Sequence, residues 1–485
     1  MGKLDGLKPA EVFHYFEEIS RIPRGSGNVE AVSDYLRAFA EERKLVCIQD
    51  ELKNIIIIKE ATPGYEKEEP FLLQGHMDMV AVKEAGCPKD MEKEGLDLEV
   101  DGDWLYARGT SLGGDDGIAV AYALALLDSS DIPHPRLEVI LTVDEETGME
   151  GADHIDLSVC QGRRMLNLDY EEEGVLLTSC AGGARVHGRL AAVREKTEGT
   201  RLEVSVEGLK GGHSGSEIDK GRANANVLLG RMMRFLPKEA DARILSLNGG
   251  SADNAIASSA EAALVVKTEE VSRVKEALNR MQEILQNEYA AADPDIRICV
   301  RTGEDGCWEA FSRESTQKTA ALLYLMPNGI QKMSADIPGL VQTSLNLGIL
   351  RTQEDCVSLD YSVRSSVGSE KEMAIDKVCL LLSLQGTQYT VSGEYPAWEY
   401  RKDSPLRDRM VRIYGEMFGA VPRVEAIHAG LECGILGAKL PGLDCVSIGP
   451  DMKDIHTPKE RLSISSTERV WNYILEILKE KTDER

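Results

Sequence analysis

The chain has 485 residues, of which 42% are hydrophobic and 28% charged, and its formal net charge is −26. This length predicts two domains, and the composition is that of a soluble globular protein. The excess of acidic residues argues against binding to nucleic acid or to an anionic membrane, because both are negatively charged. The ten cysteines include no CxxC pair, which is typical of a reducing compartment, so we expect a cytoplasmic protein.

The N-terminal sequence MGKLDGLKPAEVFHYFEEIS lacks the basic and apolar segments of a signal peptide. Its pattern is instead typical of an amphipathic helix. The longest aliphatic run lies in residues 54–60 and is far too short to cross a membrane. We therefore expect no association with a membrane.

Residues 1–184 predict the first segment of an α/β catalytic domain, because strand and helix patterns alternate along them. An almost entirely apolar stretch at residues 117–130 predicts a buried helix. Short apolar runs predict buried strands at residues 54–60, 71–75, 137–143 and 165–169. This alternation is typical of a mixed, mostly parallel sheet, in which functional sites form beyond the carboxyl ends of the strands.

Residues 185–391 predict an inserted domain of α+β type, because their strand patterns alternate apolar and polar residues as a half-exposed antiparallel sheet does. The insertion is long for one small unit, so a duplicated pair of halves is an alternative. Residues 392–406 predict a linker, and the whole stretch 392–485 predicts the second segment of the catalytic domain.

Polar side chains follow the predicted strands of the first segment. His76 and Asp78 follow one strand, three acidic residues lie within 143–148 after another, and Asp169 ends a third. Side chains two positions apart in an extended segment point the same way, so His76 and Asp78 would share a face. Asp115 lies in a glycine-rich loop before the predicted buried helix.

Each of these groups also has an ordinary explanation. A histidine beside an aspartate is commonly a surface pair, Asp115 or Asp116 could cap a helix, and the acids of 143–148 could form a solvated turn. Together, however, they would meet at one sheet edge, which His456 could reach from the second segment. Two histidines and three or four carboxylates without cysteine ligands fit one or two zinc, cobalt or manganese ions.

Five motifs, in this order, resemble the di-zinc exopeptidases of the aminoacylase and carboxypeptidase type. The motifs are H-x-D at His76, Asp-Asp at Asp115, Glu-Glu at Glu145, N-L-D ending at Asp169, and a C-terminal His-Thr-Pro at His456. Five longer stretches, QGHMDMV, GTSLGGDDGIA, DEETGMEGA, GGHSG and HAGLECG, resemble one subgroup of that family. The resemblance spans nearly the whole chain and is strongest to the dipeptidases of this family that cleave Xaa-His dipeptides. It implies a zinc-exopeptidase-like catalytic domain with an inserted α+β lid domain. It also implies two zinc ions per subunit, which cobalt or manganese could replace.

The resemblance also implies a role for each residue at a matching position. Asp115 would bridge two metal ions, with Asp116 beside it as a non-ligand. The remaining ligands would be His76 and Asp169 for one ion, and Glu146 and His456 for the other. Asp78 would orient the imidazole of His76. Glu145 would be the general base, because such chemistry needs a carboxylate that is close to the metal but not bound to it.

In the inserted domain, the resemblance implies that His213 stabilises the oxyanion of the tetrahedral intermediate. Arg364 and Asn254 would hold the carboxylate or carbonyl group of the substrate, although a strand arginine is commonly a surface residue. Gly430 would let backbone N–H groups approach an anion, and Glu432 would meet the α-amino group of the substrate.

These expectations combine into a cytosolic metal-dependent dipeptidase that hydrolyses Xaa-His and related dipeptides through a metal-bridged hydroxide. An N-acyl-amino-acid deacylase or a carboxypeptidase on the same scaffold is the alternative, and a non-catalytic binding protein is a further one. The expected partner is a small dipeptide, with no nucleic acid and no membrane. A homodimer through the lid domain is possible, with His213 acting in its own subunit or across the dimer.

Overall fold

The computed structural model describes residues 2–481, and these residues form two compact units. The first unit contains the described residues up to Ser179, Tyr400–Ala426 and the described residues from Leu431 onward. The second unit contains Cys180–Glu399 and Ile427–Gly430.

The helices are α1 (Ala10–Ser20), α2 (Glu30–Glu42), α3 (Gly114–Asp128), α4 (Glu145–Gly148), α5 (Glu150–His154), α6 (Ala225–Phe235), α7 (Val271–Glu288), α8 (Arg313–Leu325), α9 (Gly368–Leu384), α10 (Pro405–Phe418), α11 (Glu432–Lys439) and α12 (Ile464–Lys479). The strands are β1 (Val46–Gln49), β2 (Ile55–Lys59), β3 (Phe71–His76), β4 (Leu98–Asp101), β5 (Trp104–Ala107), β6 (Leu137–Thr142), β7 (Arg164–Asn167), β8 (Val175–Cys180), β9 (Gly182–Ala191), β10 (Arg194–Glu207), β11 (Gly212–His213), β12 (Arg243–Gly249), β13 (Ala255–Ile256), β14 (Ala260–Val266), β15 (Arg297–Phe311), β16 (Gly329–Met333), β17 (Val341–Thr352), β18 (Cys356–Ser365), β19 (Gln388–Tyr395), β20 (Arg423–Ile427), β21 (Asp444–Ser447), β22 (Met452–Lys453) and β23 (Arg461–Ser463).

The first unit is built around an eight-stranded mixed sheet with the order β1-β2-β6-β3-β7-β21-β8-β20. Its centre is parallel, because β3 pairs with β6 and β7, and β7 pairs with β21, all in the same direction. The pairs β1–β2, β2–β6 and β21–β8 are antiparallel. The predicted α/β class with a mixed sheet is therefore confirmed.

Helix α3 lies in the core of the first unit, and every residue from Gly114 to Leu127 is buried. From Ile118 to Leu127 its residues are alanines, larger aliphatic residues and one tyrosine, Tyr122, so no face of this part of the helix needs water. The helix packs against α1 and β3, and every residue of β3 is buried too. The start of α3, with Asp115 and Asp116, is consequently held inside the unit rather than at its surface.

The buried position of α3 makes a stability prediction. Leu124 is completely buried, so Leu124→Ala should lower the free energy of unfolding of this unit by about 2–5 kcal/mol through lost burial and a cavity. The matched control is Leu52→Ala, because Leu52 belongs to the same unit and is 39% exposed. Urea unfolding curves of both variants would measure the difference. Equal losses in the two variants would contradict the buried placement of α3.

The second unit is built around an antiparallel sheet with the order β15-β10-β14-β12-β17-β18-β9-β19, and β16 also pairs with β17. Helices α6, α7, α8 and α9 contribute buried side chains to one hydrophobic core with these strands. The half-exposed strand patterns of the sequence correspond to this sheet, and the α+β class predicted for the insertion is confirmed.

The predicted linker at residues 392–406 is wrong at its start, because β19 continues to Tyr395 and pairs with β9. The register shifts between Ser392 and Tyr395, and Gly393 has a φ of 57° within this irregular stretch. A bulge that contains glycine and precedes proline hides the alternation of a strand. The second unit also includes Ile427–Gly430, which the sequence placed in the catalytic segment.

Among residues 2–481, no helix is both long and apolar enough to cross a lipid bilayer. Six of the ten cysteines are buried, two are partly buried, and Cys299 and Cys307 are exposed.

Candidate metal centre

The parallel strands of the first unit bring the predicted ligands to one edge of the sheet. His76 is the last residue of β3, and Glu145 and Glu146 begin α4 shortly after the end of β6. Asp169 follows β7 by two residues. Since β6, β3 and β7 are parallel neighbours, their carboxyl ends lie together.

Asp115 lies between the two imidazole rings of the site. Its Oδ1 atom is 3.1 Å from His76 Nε2, and its Oδ2 atom is 3.0 Å from His456 Nε2. Asp169 Oδ1 lies 3.5 Å from His76 Nε2, and Glu146 Oε2 lies 3.0 Å from His456 Nε2. One carboxylate thus spans two histidines, and each histidine has a second carboxylate beside it.

The charges of this cluster are unbalanced without a cation. Although burial lowers the pKa of His76, Asp169 and Asp115 raise it well above its usual value. Hydrogen bonds with Asp115 and Glu146 raise the pKa of His456 to about 10. Burial raises the pKa of Asp169 to about 6, and His76 partly offsets this. Buried carboxylates in this number are stable together only when protons or cations neutralise them.

The donor atoms fit divalent metal ions. Ligand atoms of His76, Asp115 and Glu146 lie within 4.8 Å of one another, and so do those of His76, Asp116 and Asp169. In addition, Glu146 Oε1 is buried and has no hydrogen-bond partner among residues 2–481. Imidazole nitrogen and carboxylate oxygen without thiolate suit zinc, cobalt or manganese. The residues present therefore fit a metal centre of the predicted kind.

Asp78 is completely buried and connects His76 to the start of α4. Its Oδ1 atom lies 3.3 Å from His76 Nδ1, and its carboxylate accepts backbone N–H groups from Glu145 at 3.2 Å and Glu146 at 3.4 Å. Ser26 also donates its hydroxyl to Asp78 at 2.7 Å. Although burial raises the pKa of Asp78, the interaction with His76 lowers it below its usual value. Asp78 is thus placed to orient both the His76 ring and the two glutamates.

Glu145 lies next to the centre and is partly exposed. Burial raises the pKa of the Glu145 carboxyl. The surrounding charges shift this pKa in both directions, and the net result lies well above the usual value. Among those charges, His76 lowers the pKa, whereas Asp169 and Glu432 raise it. A carboxyl with a raised pKa holds a proton more readily than an ordinary glutamate, which suits a group that accepts and then releases one.

Asp116 has a different environment from Asp115. It is completely buried, and its Oδ2 atom accepts the backbone N–H of His76 at 3.1 Å. Burial, followed by the charge of Asp169, raises the pKa of Asp116 well above its usual value. A Cβ atom on Gly75 would lie 2.5 Å from the Ala119 side chain and would also meet Asp116. Glycine at position 75 therefore allows α3 to approach β3 at the site.

Sequence reasoning missed three residues at this centre. Glu460 is 3% exposed and accepts the backbone N–H groups of four consecutive residues around the start of α3, Leu112, Gly113, Gly114 and Asp115, at 2.7–3.3 Å. Arg24 is 2% exposed and donates to the carbonyls of Met77 at 3.1 Å and Asp78 at 3.2 Å, and to that of Gly113. Glu171 is close enough to Asp115 and Asp169 that burial and their charges raise its pKa to about 7.

The four backbone bonds to Glu460 make a testable prediction. Glu460→Ala should weaken metal binding by about 10–100-fold, because supporting groups of this kind orient the ligands. Glu460→Gln keeps an acceptor oxygen, so its metal affinity should fall less than that of Glu460→Ala. Metal affinity would be measured by competition with a chromogenic chelator. Lys459→Ala is the neighbouring control, and equal affinity in Glu460→Ala and Lys459→Ala would refute the proposed support.

In the second unit, His213 ends β11. Its Nδ1 atom accepts backbone N–H groups from Gly215 at 3.2 Å and Ser216 at 3.1 Å, so a neutral ring carries its proton on Nε2. Burial lowers the pKa of His213, and the charge of Arg364 lowers it further. His213 and Asn254 both line a cleft of about 420 Å³. The ring therefore offers an Nε2–H donor, as an oxyanion-stabilising group must.

Arg364 and Gly430 also belong to the second unit. Arg364 lies on β18 and donates from Nη1 to the hydroxyl of Tyr395 at 3.1 Å. A Cβ atom on Gly430 would lie 2.8 Å from Cε2 of the same tyrosine, so this position leaves no room for a side chain beside that ring. His428 is buried, with Nε2 at 2.7 Å from the Ser344 hydroxyl.

Glu432 differs from its predicted environment. It is completely buried in the first unit and accepts hydrogen bonds from Gln74 and Thr142, each at 2.6 Å. Asn167 donates to Gln74 Oε1 at 2.5 Å and extends this network between the strands. Burial raises the pKa of Glu432 to about 8. These partners indicate a group that joins α11 to β3 and β6, and contact with a substrate amino group stays a prediction.

Comparison with known proteins gives full-length matches. A model of peptidase family M20/M25/M40 matches residues 72–480. The chain is 36% identical over 482 residues to the cytosol non-specific dipeptidase of Escherichia coli (strain K12), with 99% of both chains covered. The crystal structure of aminoacylhistidine dipeptidase from Vibrio alginolyticus matches with a TM-score of 0.94 and 34% identity, again over 99% of both chains. Aminopeptidase PepT from Bacillus cereus shares the fold, with a TM-score of 0.56 at 14% identity over 97% of this chain and 98% of that one.

Proposed function

We propose that this chain, which belongs to peptidase family M20/M25/M40, is a metal-dependent dipeptidase. The observation that carries the proposal is Asp115, whose two carboxylate oxygens lie 3.1 Å and 3.0 Å from the imidazoles of His76 and His456. The dipeptidase function is supported by the full-length similarity to two proteins named as dipeptidases.

We propose that five residues hold two zinc ions, which cobalt or manganese could replace. Asp115 would serve both ions, His76 and Asp169 would serve one, and Glu146 and His456 the other. Ions bound there would lower the pKa of a water molecule and polarise the scissile carbonyl group. Asp78 would keep the His76 ring in the orientation that ligation needs, because it lies beside Nδ1.

Glu145 is the proposed general base. Its carboxylate would accept a proton from the attacking water and deliver it to the leaving nitrogen. Its neighbour Glu146 lies 3.0 Å from His456 Nε2, so the two adjacent glutamates have different environments. The backbone bonds from both residues to Asp78 keep that arrangement in place.

The substrate contacts proposed for the second unit rest on the chemistry of three side chains. His213 presents Nε2–H and would donate to the developing oxyanion, which is worth about 2.7–4 kcal/mol for one donor. Arg364 would bind the terminal carboxylate, and Asn254 would bind a carbonyl group. A site that binds both ends of a short substrate admits dipeptides and excludes long peptides. A C-terminal histidine is the preferred residue we propose, since the relative from Vibrio alginolyticus is named for it.

The substrate assay tests this proposal directly. Protein stripped with a chelator would be given zinc, cobalt or manganese, then β-alanyl-histidine, alanyl-histidine, alanyl-alanyl-histidine and N-acetyl-histidine. The expected result is metal-dependent cleavage of the two dipeptides only. Cleavage of N-acetyl-histidine instead would indicate a deacylase, and cleavage of the tripeptide at its C-terminus would indicate a carboxypeptidase. No cleavage of any of the four would favour the non-catalytic alternative.

Two further proposals concern the setting of the enzyme. We propose a cytoplasmic location, which the acidic composition, the cysteine usage and the name of the E. coli relative support. A homodimer through the second unit stays a prediction, and light scattering of the purified protein would measure it.

A further inference from the structure

Tyr395 is the last residue of β19, and its ring lies against two glycines of the second unit. A Cβ atom on Gly183 would lie 2.5 Å from the tyrosine Oη and 2.6 Å from Cε1. A Cβ atom on Gly430 would lie 2.8 Å from Cε2 and 3.1 Å from Cζ. Such distances are far shorter than van der Waals contact, so any side chain at either position would displace the ring.

The backbone of Tyr395 is held as well. Its carbonyl oxygen accepts a hydrogen bond of 2.8 Å from the ammonium group of Lys371, a residue of α9 that is only 7% exposed. Tyr395 also pairs with Gly183 across the β19–β9 ladder. The main chain and the ring are therefore both fixed, which gives the hydroxyl group a defined position.

That hydroxyl accepts a hydrogen bond of 3.1 Å from Arg364 Nη1. A second donor of the same guanidinium, the N–H of Arg364 Nε, is buried and has no hydrogen-bond partner among residues 2–481. A guanidinium with an unpartnered N–H is suited to a planar carboxylate, which it binds with two parallel hydrogen bonds. Arg364 is also near enough to His213 to lower the pKa of that imidazole.

We propose that Tyr395 is a positioning residue that aims the Arg364 guanidinium at the terminal carboxylate of the substrate, and that Gly183 and Gly430 are glycines because they make room for its ring. This inference rests on the proposed dipeptidase function and on Arg364 as the carboxylate-binding residue. It assigns the specificity for a free carboxylate to a tyrosine outside the five sequence motifs. For Gly430 it adds a steric reason for glycine, while the approach of its backbone N–H to an anion stays a prediction.

The main test is Tyr395→Phe, which keeps the ring and removes the hydroxyl group. The zinc-loaded enzyme would be assayed with alanyl-histidine and with alanyl-histidine amide, which lacks the terminal charge. We expect KM for alanyl-histidine to rise about 10-fold with little change in kcat, because a hydrogen bond to a charged group is lost. The preference for the acid over the amide should fall by the same factor. Tyr389→Phe is the control, since Tyr389 lies on the same strand and is 43% exposed.

A double-mutant cycle separates positioning from a general structural effect. Arg364→Ala should remove the preference for the acid, and adding Tyr395→Phe should then change little. If the two losses simply multiply, Tyr395 does not act through Arg364 and the proposal is overturned. An unchanged KM and acid-to-amide ratio in Tyr395→Phe alone would overturn it as well.

The glycine supplies an independent test. Gly430→Ala should reproduce the effect of Tyr395→Phe, because the added methyl group displaces the ring. Gly437→Ala is the control, since a Cβ atom there would meet nothing within 4 Å. Wild-type activity in Gly430→Ala would contradict the role assigned to the glycine.

Failure of the proposed function gives a different result from failure of this inference. A wild-type enzyme that cleaves no dipeptide disproves the function. An active enzyme whose KM and acid-to-amide preference are unchanged by Tyr395→Phe disproves the inference alone. In the first case, calorimetric titration of N-acetyl-histidine and its amide decides the inference. Tighter binding of the acid, reduced in Tyr395→Phe, would support it, and equal affinity of the wild type for both compounds would overturn it.

Discussion

Glu145→Ala should lower kcat for dipeptide hydrolysis by about 100- to 10,000-fold, the range that one positioned acid–base group contributes. The expected loss follows from the position of Glu145, which directly precedes Glu146 beside the metal centre. Its backbone N–H is bound to Asp78, and this bond does not depend on the side chain. The variant should therefore keep its fold and its metal ions while losing the proton transfer.

Two measurements separate loss of the base from loss of the site. Steady-state kinetics with alanyl-histidine gives kcat and KM, and mass spectrometry of the metal content gives ions per chain. Glu150→Ala is the matched control, because Glu150 lies in the next short helix and is exposed. If Glu145→Ala keeps most of its kcat, another group must move the proton, and Glu171 would be the next to test.

Asp115→Asn should abolish both activity and metal-dependent stabilisation. Asp115 places one carboxylate oxygen beside His76 and the other beside His456, so replacing an anionic oxygen with an amide nitrogen affects both halves of the centre. Ions present at 100 times their dissociation constant stabilise a folded protein by about 2.7 kcal/mol. In the stripped wild type, added zinc should raise Tm, whereas Asp115→Asn should show little change.

Thermal unfolding with increasing zinc, and then with cobalt and manganese, would measure this effect. Asp101→Asn is the control, because Asp101 is an exposed aspartate of the same unit. Since a ligand must lose its proton to bind, the rise in Tm should shrink as the pH falls. A rise in Asp115→Asn equal to that of the wild type would refute the bridging position.

The sheet and the arrangement of the candidate ligands could be predicted because each depends on residue type and order. Buried strands are apolar runs, and the residues that follow them meet at one edge of a parallel sheet. His76 ends one of these strands and Asp169 follows another. The structure places His76 Nε2 and Asp169 Oδ1 3.5 Å apart. The role of each ligand was available only from the resemblance to a known family, because the same residues permit surface pairs, caps and turns.

The supporting residues could not be predicted, because they act on backbone atoms. Glu460 accepts four N–H groups and Arg24 donates to carbonyls, and every residue type except proline offers the same backbone groups. Gly430 was singled out for its backbone N–H, whereas the ring that a Cβ atom there would meet belongs to Tyr395, 35 positions earlier. The strand at residues 392–395 was missed because a bulge interrupts its alternation.

The distances along the chain within the centre have a consequence for synthesis on the ribosome. His456 pairs with Asp115 across 341 positions, and Glu460 reaches the Asp115 loop across a similar span. A nascent chain therefore exposes one histidine and several carboxylates long before their partners are translated. The proposed centre would reach full metal affinity only after translation has passed Glu460. Products of premature termination before that point would lack the completed centre. Tightly bound metal would therefore distinguish full-length chains from truncated ones.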